Sequence, residues 1–226
     1  DKAAIEPWRM GVSALFLAFG AEHCKGKNLP PFLGQISNTQ RQALISMIEN
    51  GFNSPPTSSC GRLFDAVAAL SDLRLYCDYE GHAAMELEAC AMIACTRDWK
   101  KRLDTIMSQR ESPFFKYQNG KGKIISSEFV RMIIDKKKAG FEVPQLVLDF
   151  HLELVCAISK LTKQLSDEYN ITTIVLSGGC MQNRLLMEGL FYTLENSGLK
   201  VYTGEKVPVN DGGISFGQTI IGGRQY

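Results

Sequence analysis

The feature that most constrains the fold is a β-branched run that stops at paired glycines. Ile171 to Leu176 form this run, and Ser177-Gly178-Gly179 follows it directly. β-Branched side chains favour an extended chain, and glycine permits the sharp turn from a strand into a helix. A helical pattern resumes at Asn183 and reaches Asn196. The sequence therefore predicts a buried strand, a glycine turn and a helix, which is the beginning of an α/β unit.

The pattern of elements divides the chain into residues 1–170, which are mainly helical, and residues 171–226, which are α/β. In the first part, Ser37 and Gln40 form a capping box at the start of a helix, and a small hairpin is predicted at 113–125 around Asn119-Gly120. The other helices predicted there are 61–73, 83–95, 127–138 and one from Pro144 to about Tyr169. The second part adds a strand at 200–202 and a last helix that opens at Asp211-Gly212-Gly213.

Composition excludes several classes of protein. The 226 residues carry a net charge of +1, which gives no overall field for nucleic acid. The longest apolar run, Val12 to Ala21, is shorter than the roughly 18 to 20 residues of a membrane helix. Seven cysteines contain no Cys-x-x-Cys pair, so we expect reduced, structural thiols. We expect a cytoplasmic protein that binds neither nucleic acid nor a membrane.

The first candidate site is the turn Ser177-Gly178-Gly179 with Asn183 after it. Backbone N–H groups at such a turn point to one place, and the positive end of the following helix favours phosphate there. Asn183 is positioned to bind a phosphate or a ribose. The alternative is a tight turn that binds nothing, and the local sequence does not decide between the two.

The second candidate is Asp211, which precedes Gly212-Gly213. A carboxylate at this position either caps the helix, which the local sequence favours, or binds a hard or borderline cation. Other ligands would have to come from elsewhere in the protein. The three histidines, His23, His82 and His151, show no metal-binding spacing, and His151 is read as a surface or packed residue of a long helix.

The third candidate surrounds Gly61, Arg62 and Asp65 at the start of a helix. The Arg62 guanidinium suits a phosphate or carboxylate, and Asp65 suits a sugar hydroxyl. The alternative, favoured by the local sequence, is a capped helix with an Arg62–Asp65 pair on its surface. The turn that contains Gly81 and His82 has the same two interpretations.

Taken together, these segments resemble one family, the hydrogenase-maturation carbamoyltransferases (HypF). The resemblance spans essentially the whole chain, with the motifs in the family's order. They are Asp1–Arg9, Thr57–Leu70, Tyr79–Glu88, Leu176–Leu186 and Val207–Ile214.

The resemblance implies an α/β fold of the actin, sugar-kinase and heat-shock-ATPase kind, in which ribonuclease-H-like lobes surround a nucleotide cleft. It implies that this chain is a fragment of a two-lobed domain with a large helical insertion. The family is similar to the tRNA threonylcarbamoyl-adenosine enzymes and to O-carbamoyltransferases. It converts carbamoyl phosphate and ATP into carbamoyl-adenylate. The carbamoyl group then passes to a C-terminal cysteine of a partner maturation protein and becomes the cyanide ligand of nickel–iron hydrogenase.

By position, the resemblance assigns Gly178 and Gly179 to the adenylate phosphate, with Ser177 in the same turn and Asn183 beside the nucleotide. It assigns Asp211 to a metal, with Mg²⁺ accompanying ATP and zinc or iron in the full-length enzyme. The nucleoside side is assigned to the segments that contain Gly61, Arg62, Asp65 and Gly81.

Two residues depart from the family pattern: Cys180 replaces an expected small aliphatic residue, and His82 replaces an expected glutamine. The family's metal histidines and its acylphosphatase, zinc-finger and adenylate-forming domains belong upstream of this sequence. The chain also opens without Met, so we expect a fragment that lacks most of the metal site and is inactive alone. The alternatives are a small-molecule O-carbamoyltransferase and a stand-alone nucleotide-binding or regulatory module.

Overall fold

The structure, a computed structural model, describes residues 2–25, 30–109, 111–118 and 120–223. The chain is mixed α/β and mostly helical, as predicted. Asp1 and the turn residue Asn119 lie outside the described residues. Within the described part, no helix combines the length and the apolar character that a membrane crossing requires. All seven cysteines are described, and no disulfide joins them.

Helices come first along the chain. They are α1 (Lys2–Ile5), α2 (Pro7–Phe19), α3 (Glu22–Lys25), α4 (Pro31–Gly34), α5 (Asn38–Glu49), α6 (Cys60–Leu70), α7 (His82–Ala94) and α8 (Trp99–Ser108). The hairpin follows as β1 (Phe115–Gln118) and β2 (Lys121–Ile124), and then come α9 (Ser126–Lys138) and α10 (Val143–Tyr169). The last part holds β3 (Thr173–Leu176), a 3-10 turn (Gly179–Gln182), α11 (Arg184–Asn196), β4 (Lys200–Thr203), a second 3-10 turn (Asp211–Gly213) and α12 (Ile214–Gly223).

By packing, the chain forms two compact units. The first comprises residues 1–99 and 125–151, and the second comprises residues 100–124 and 152–226. The division at residue 170 follows the change of element type rather than packing, and it stays a prediction. The capping box of α5 is confirmed, because the Ser37 side chain accepts from the Gln40 amide while the Gln40 side chain accepts from the Ser37 amide.

The first unit is built on α2 against α6, with α7 and α9 also packed on α6. α2 and α6 approach closely at Gly11, which has no side chain. A Cβ at this position would lie only 3.0 Å from the Ala69 Cβ atom. Fully buried side chains fill this core: Trp8, Val12, Phe64, Val67, Leu70, Phe129 and Phe150.

The second unit contains a β-α-β arrangement in which β3 and β4 run parallel, from Thr173 opposite Lys200 to Leu176 opposite Thr203. α11 forms the crossover between the two strands. α11 lies close to α10, since a Cβ on Gly189 would lie 2.8 Å from Val155 Cγ2. The predicted α/β unit is therefore present.

The prediction of a buried strand at 171–176 is wrong in two respects. β3 begins at Thr173, because the Ile171 amide donates to the Ser166 carbonyl and closes the end of α10. Along β3 burial alternates, and Val175 is 68% exposed. A β-branched run favours a strand but does not reveal whether one face or both faces will be covered.

Candidate functional site

The carboxyl ends of β3 and β4 lie at one edge of the parallel sheet, and the two predicted binding turns leave from that edge. Ser177 to Gly179 follow β3 directly, and the loop from Gly204 to Gly213 follows β4. In open α/β sheets, ligands bind outside the carboxyl ends of the strands. The structure thus brings together two segments that the sequence identified separately.

A hydrogen bond ties the two turns to each other. The Gly178 amide donates to the Val209 carbonyl at 2.7 Å, and the Ser177 hydroxyl reaches the same oxygen at 3.4 Å. Asp211 follows Val209 by two residues. The turn at Ser177–Gly179 and the loop that carries Asp211 are therefore one structural feature.

The two glycines of the turn have different roles. Gly178 has φ +102°, which side chains rarely tolerate, so glycine is required there by the backbone. A Cβ on Gly179, by contrast, would meet nothing within 4 Å, and its φ is ordinary. Gly179 is also exposed. Neither the backbone nor packing explains glycine at 179, and this favours close approach by a ligand.

The assignment of both glycine amides to phosphate needs a correction. Because the Gly178 N–H already donates to Val209, it does not point at a ligand in this structure. The Gly179 amide has no hydrogen-bond partner in the described part of the chain. Gly179 is therefore the glycine of the turn that can donate to a phosphate oxygen.

Asn183 is the N-cap of α11, which begins one turn later than a helix opening at the glycines would. Its Oδ1 atom accepts from the Leu186 amide at 2.9 Å, and the residue is 7% exposed. The residues Gly179–Gln182 form the 3-10 turn that separates the glycines from the helix. The structure thus gives Asn183 a capping role, and its predicted contact with the nucleotide stays a prediction.

The helix-cap interpretation of Asp211 is wrong, because the capping residue is Asn210. The Asn210 side chain accepts from the Gly212 amide at 3.1 Å, and its carbonyl accepts from the Gly213 amide at 2.9 Å. Asp211 is exposed, and its carboxylate makes no hydrogen bond or ion pair with any described residue. Sequence reasoning missed Asn210, although asparagine before a helical turn is a common cap.

Glycine at 213 has a packing reason. A Cβ there would lie 2.4 Å from the Pro208 carbonyl oxygen. The loop that carries Asp211 is therefore tightly folded. Over the residues that the structure describes, no group of three or more His, Cys, Asp or Glu side chains gathers to hold a metal.

The third predicted segment lies in the first unit, at the start of α6. Ser59 caps this helix by accepting from the Arg62 amide at 3.4 Å. Arg62 Nη2 lies 3.0 Å from Asp65 Oδ2, which makes an ion pair, although the contact lacks the angles of a hydrogen bond. Gly61 is the second residue of α6.

Asp65 is 3% exposed, so the prediction of a pair on the helix surface is wrong for the carboxylate. Burial raises the pKa of Asp65 to about 6, and the Arg62 charge opposes this shift. The Asp65 side chain therefore points into the protein rather than towards solvent. Such burial depends on which apolar residues pack around the helix, and the spacing of Arg62 and Asp65 along the sequence does not reveal it.

Gly81 is the N-cap of α7 and has φ +80°, which accounts for glycine at this position. The next residue, His82, is nearly buried and its ring stacks on that of Tyr79, with centroids 4.3 Å apart. His82 Nε2 lies 3.2 Å from Glu86 Oε1, and Arg74 binds the same carboxylate. This network holds the histidine that departs from the family pattern.

Comparison with known proteins gives a consistent result. The family described as "Carbamoyltransferase, Kae1-like Domain, second subdomain" matches residues 1–218. A protein of Rhizobium leguminosarum named carbamoyltransferase HypF is 35% identical over 221 residues, covering 96% of this chain and 25% of that protein. A probable carbamoyltransferase HypF of Methanocaldococcus jannaschii is 26% identical, covering 97% of this chain and 26% of that protein.

Solved structures agree with this comparison. Full-length HypF in a phosphate- and nucleotide-bound form superposes with a TM-score of 0.79 at 30% identity, covering 99% of this chain and 27% of that one. HypF of T. kodakarensis has the same fold, with a TM-score of 0.74 at 23% identity. The chain thus spans about a quarter of the length of these relatives.

Proposed function

We propose a function that follows from the family of this chain. The chain belongs to the HypF carbamoyltransferases, as the second subdomain of their Kae1-like domain. The chain forms part of an enzyme that uses carbamoyl phosphate and ATP, through carbamoyl-adenylate, to carbamoylate a cysteine. The acceptor is the C-terminal cysteine of a partner protein in the synthesis of the hydrogenase cyanide ligand. Within that enzyme, this chain binds the phosphates of the nucleotide.

The observation that carries the proposal is the hydrogen bond between the Gly178 amide and the Val209 carbonyl, 2.7 Å long. It places the Gly179 amide and the Asp211 turn at the same sheet edge. The Gly179 N–H donates to a phosphate oxygen, and the bare glycine lets that oxygen approach the backbone. Support also comes from the relative that was solved with phosphate and nucleotide.

The residues of this site fit Mg²⁺ accompanying the nucleotide. Mg²⁺ is commonly held by one or two carboxylates together with substrate phosphates and water. The Asp211 carboxylate is exposed and has no partner among the described residues, so it is available for such an ion. When bound, Mg²⁺ would neutralise phosphate charge.

Zinc or iron does not fit the described residues in the same way. Both ions require several nitrogen, sulfur or oxygen donors from the protein, and Asp211 supplies one. In the described part of the chain, no group of three or more His, Cys, Asp or Glu side chains could hold such an ion. No reaction step is therefore assigned to zinc or iron.

The nucleoside-side assignment of Gly61, Arg62, Asp65 and Gly81 remains part of the proposal, in a modified form. Asp65 is buried, so its carboxyl is more suited to positioning the start of α6 than to meeting a sugar directly. Arg62 retains a partly exposed side chain, 21% by area, although it pairs with Asp65.

The test is ATP binding to the 226-residue chain and to its Gly179→Val variant. We expect the substitution to weaken binding at least about tenfold, or about 1.4 kcal/mol, because a side chain would separate phosphate from the amide. Nothing lies within 4 Å of the added Cβ, so the fold should be retained. Isothermal calorimetry measures the affinity, and circular dichroism checks the fold.

Gly34→Val is the matched control, since a Cβ there also meets nothing within 4 Å. It should bind ATP as the unmodified chain does. Unchanged affinity in a folded Gly179→Val variant would mean that this turn has no ligand role. Absence of binding in the unmodified chain would refute the proposal for this chain.

A further inference from the structure

The hairpin β1–β2 carries three lysines on its exposed face. Its register pairs Lys116 with Lys123 and Gln118 with Lys121. Side chains alternate along a strand, so these four residues share one face. All four are exposed, whereas Phe115 and Tyr117 on the other face are partly buried.

No residue that the structure describes pairs with the three lysines of this face. Lys116, Lys121 and Lys123 make no hydrogen bond or ion pair with any residue that the structure describes. In the same unit, Lys163 pairs with Asp167, and Lys160 donates to the Gln109 carbonyl. Like charges directly opposite each other in a hairpin destabilise it. The Lys116–Lys123 pair therefore destabilises the hairpin, and no described residue neutralises the two charges.

The hairpin is held firmly by its other face. A Cβ on Gly122 would lie 2.2 Å from Leu161 Cδ1 of α10, so the β2 backbone presses directly on that helix. The Tyr117 hydroxyl donates to the Glu168 carboxylate, also on α10. The lysine face is therefore presented in a defined position rather than on a loose loop.

We propose that this lysine face docks an extended, acidic segment of a partner protein. Lys121 and Lys123 are two residues apart on one strand, which is about 7 Å. Carboxylates on alternate residues of an extended peptide have the same spacing. Such a segment would neutralise the Lys116–Lys123 pair and offset its repulsion.

The chemistry of the face favours a peptide over nucleic acid. Single-stranded nucleic acids are bound by cations interleaved with aromatic rings that stack on bases. Here the aromatic residues of the hairpin, Phe115 and Tyr117, lie on the face turned towards α10. The net charge of the whole chain is only +1, so it adds no long-range attraction for a polyanion.

The experiment measures binding of a fluorescein-labelled peptide of alternating Glu and Ser by fluorescence anisotropy, at an ionic strength of about 0.15 M and below. We expect it to bind, with affinity falling as salt rises, while the matching Gln and Ser peptide does not bind. The double variant Lys116→Gln, Lys123→Gln should bind at least about tenfold more weakly.

The control variant Lys2→Gln, Lys138→Gln removes the same charge from exposed sites of the first unit and should keep the affinity. Lys116→Arg, Lys123→Arg should also bind, which keeps the test decisive if the glutamine variant fails to fold. Equal weakening in the hairpin and control variants would overturn the proposal. So would a single-stranded oligonucleotide that binds more tightly than the peptide through the same lysines.

Discussion

At the scale of single residues, two of the buried ionisable groups of the first unit, Asp65 and His151, have opposite effects on how stability depends on pH. Burial raises the pKa of the Asp65 carboxyl to about 6. Burial lowers the pKa of the His151 imidazole to about 4, and its hydrogen bond to the Val147 carbonyl opposes that shift. Folding therefore favours the uncharged form of both groups. The two interpretations left open for His151 are resolved, because it is 0% exposed and packed.

The two shifts predict opposite pH dependences. Between pH 3.8 and about 6, folded Asp65 keeps a proton that the unfolded chain has lost, so the free energy of unfolding falls as pH rises. Between about 4 and 6.5, unfolded His151 binds a proton that the folded chain does not, so the free energy of unfolding rises with pH. The two contributions partly cancel in the unmodified chain.

We therefore expect Asp65→Asn to make the protein lose more stability on acidification from pH 6.5 to 4, because only the histidine contribution remains. His151→Gln should have the opposite effect on the slope. Urea unfolding followed by circular dichroism at a series of pH values measures both. Identical slopes in all three proteins would contradict the assignment.

Asn210 and Asp211 are neighbours with separable roles. Asn210→Ala removes the cap of the second 3-10 turn and should lower the free energy of unfolding by about 1 kcal/mol. Asp211→Ala removes an exposed carboxylate without a described partner and should cost less than about 0.5 kcal/mol. For binding of magnesium and ATP the order should reverse, with Asp211→Ala the more damaging change. Denaturant unfolding and calorimetry compare the two; equal destabilisation would restore the cap interpretation of Asp211.

At the scale of elements, the crossover helix α11 positions the sheet edge that carries the candidate site. The Asn183 side chain caps α11 by accepting from the Leu186 amide at 2.9 Å, and Gly189 lets the helix approach α10 at Val155. In the same interface, the Ser159 and Thr193 hydroxyls are buried and lie 2.5 Å apart. This close packing holds β3 and β4 in the register that joins their turns.

Gly189→Leu should therefore lower the free energy of unfolding by about 1–3 kcal/mol, because the added side chain overpacks the contact with Val155. Adding Val155→Ala should recover part of this loss, since the two positions share one space. Thermal and urea unfolding of the single and double variants test this. Additive losses would mean that α11 and α10 do not meet at this point.

At the scale of the whole molecule, the second unit leaves several large apolar side chains exposed in the described structure. Val175 and Tyr202 lie opposite each other in the β3–β4 register and are 68% and 57% exposed. In α12, Ile214, Phe216 and Ile221 are each more than half exposed. Monomeric proteins rarely leave such patches uncovered unless another surface binds there.

The 226-residue chain should accordingly bind a hydrophobic fluorescent dye in its folded state and self-associate as its concentration rises. Val175→Thr with Tyr202→Thr should reduce both effects, because hydroxyl side chains suit a strand yet tolerate water. Phe141→Thr, at an exposed site of the first unit, is the control and should change neither. Dye titration and analytical ultracentrifugation measure the outcome; equal behaviour of all variants would contradict the prediction.

The sequence alone predicted what depends on near neighbours along the chain. The Ser37–Gln40 capping box, the hairpin at 115–124, and the order strand, glycine turn, helix after residue 173 are all present. Caps, turns and helices form hydrogen bonds within about four residues, so local residue types are sufficient to specify them. The two candidate binding turns could be identified by the same reasoning and by the family resemblance.

Tertiary structure alone decided what those turns contact. The Gly178 amide donates to a carbonyl 31 residues away, at Val209, so Gly179 rather than Gly178 has an amide available for the proposed phosphate contact. Tertiary structure also buried Asp65, made Asn210 the cap of the second 3-10 turn, and left Val175 exposed. Each outcome depends on which distant segment covers a group and satisfies its hydrogen bond. That is a property of the chain's path in space, which residue types and their spacing do not contain.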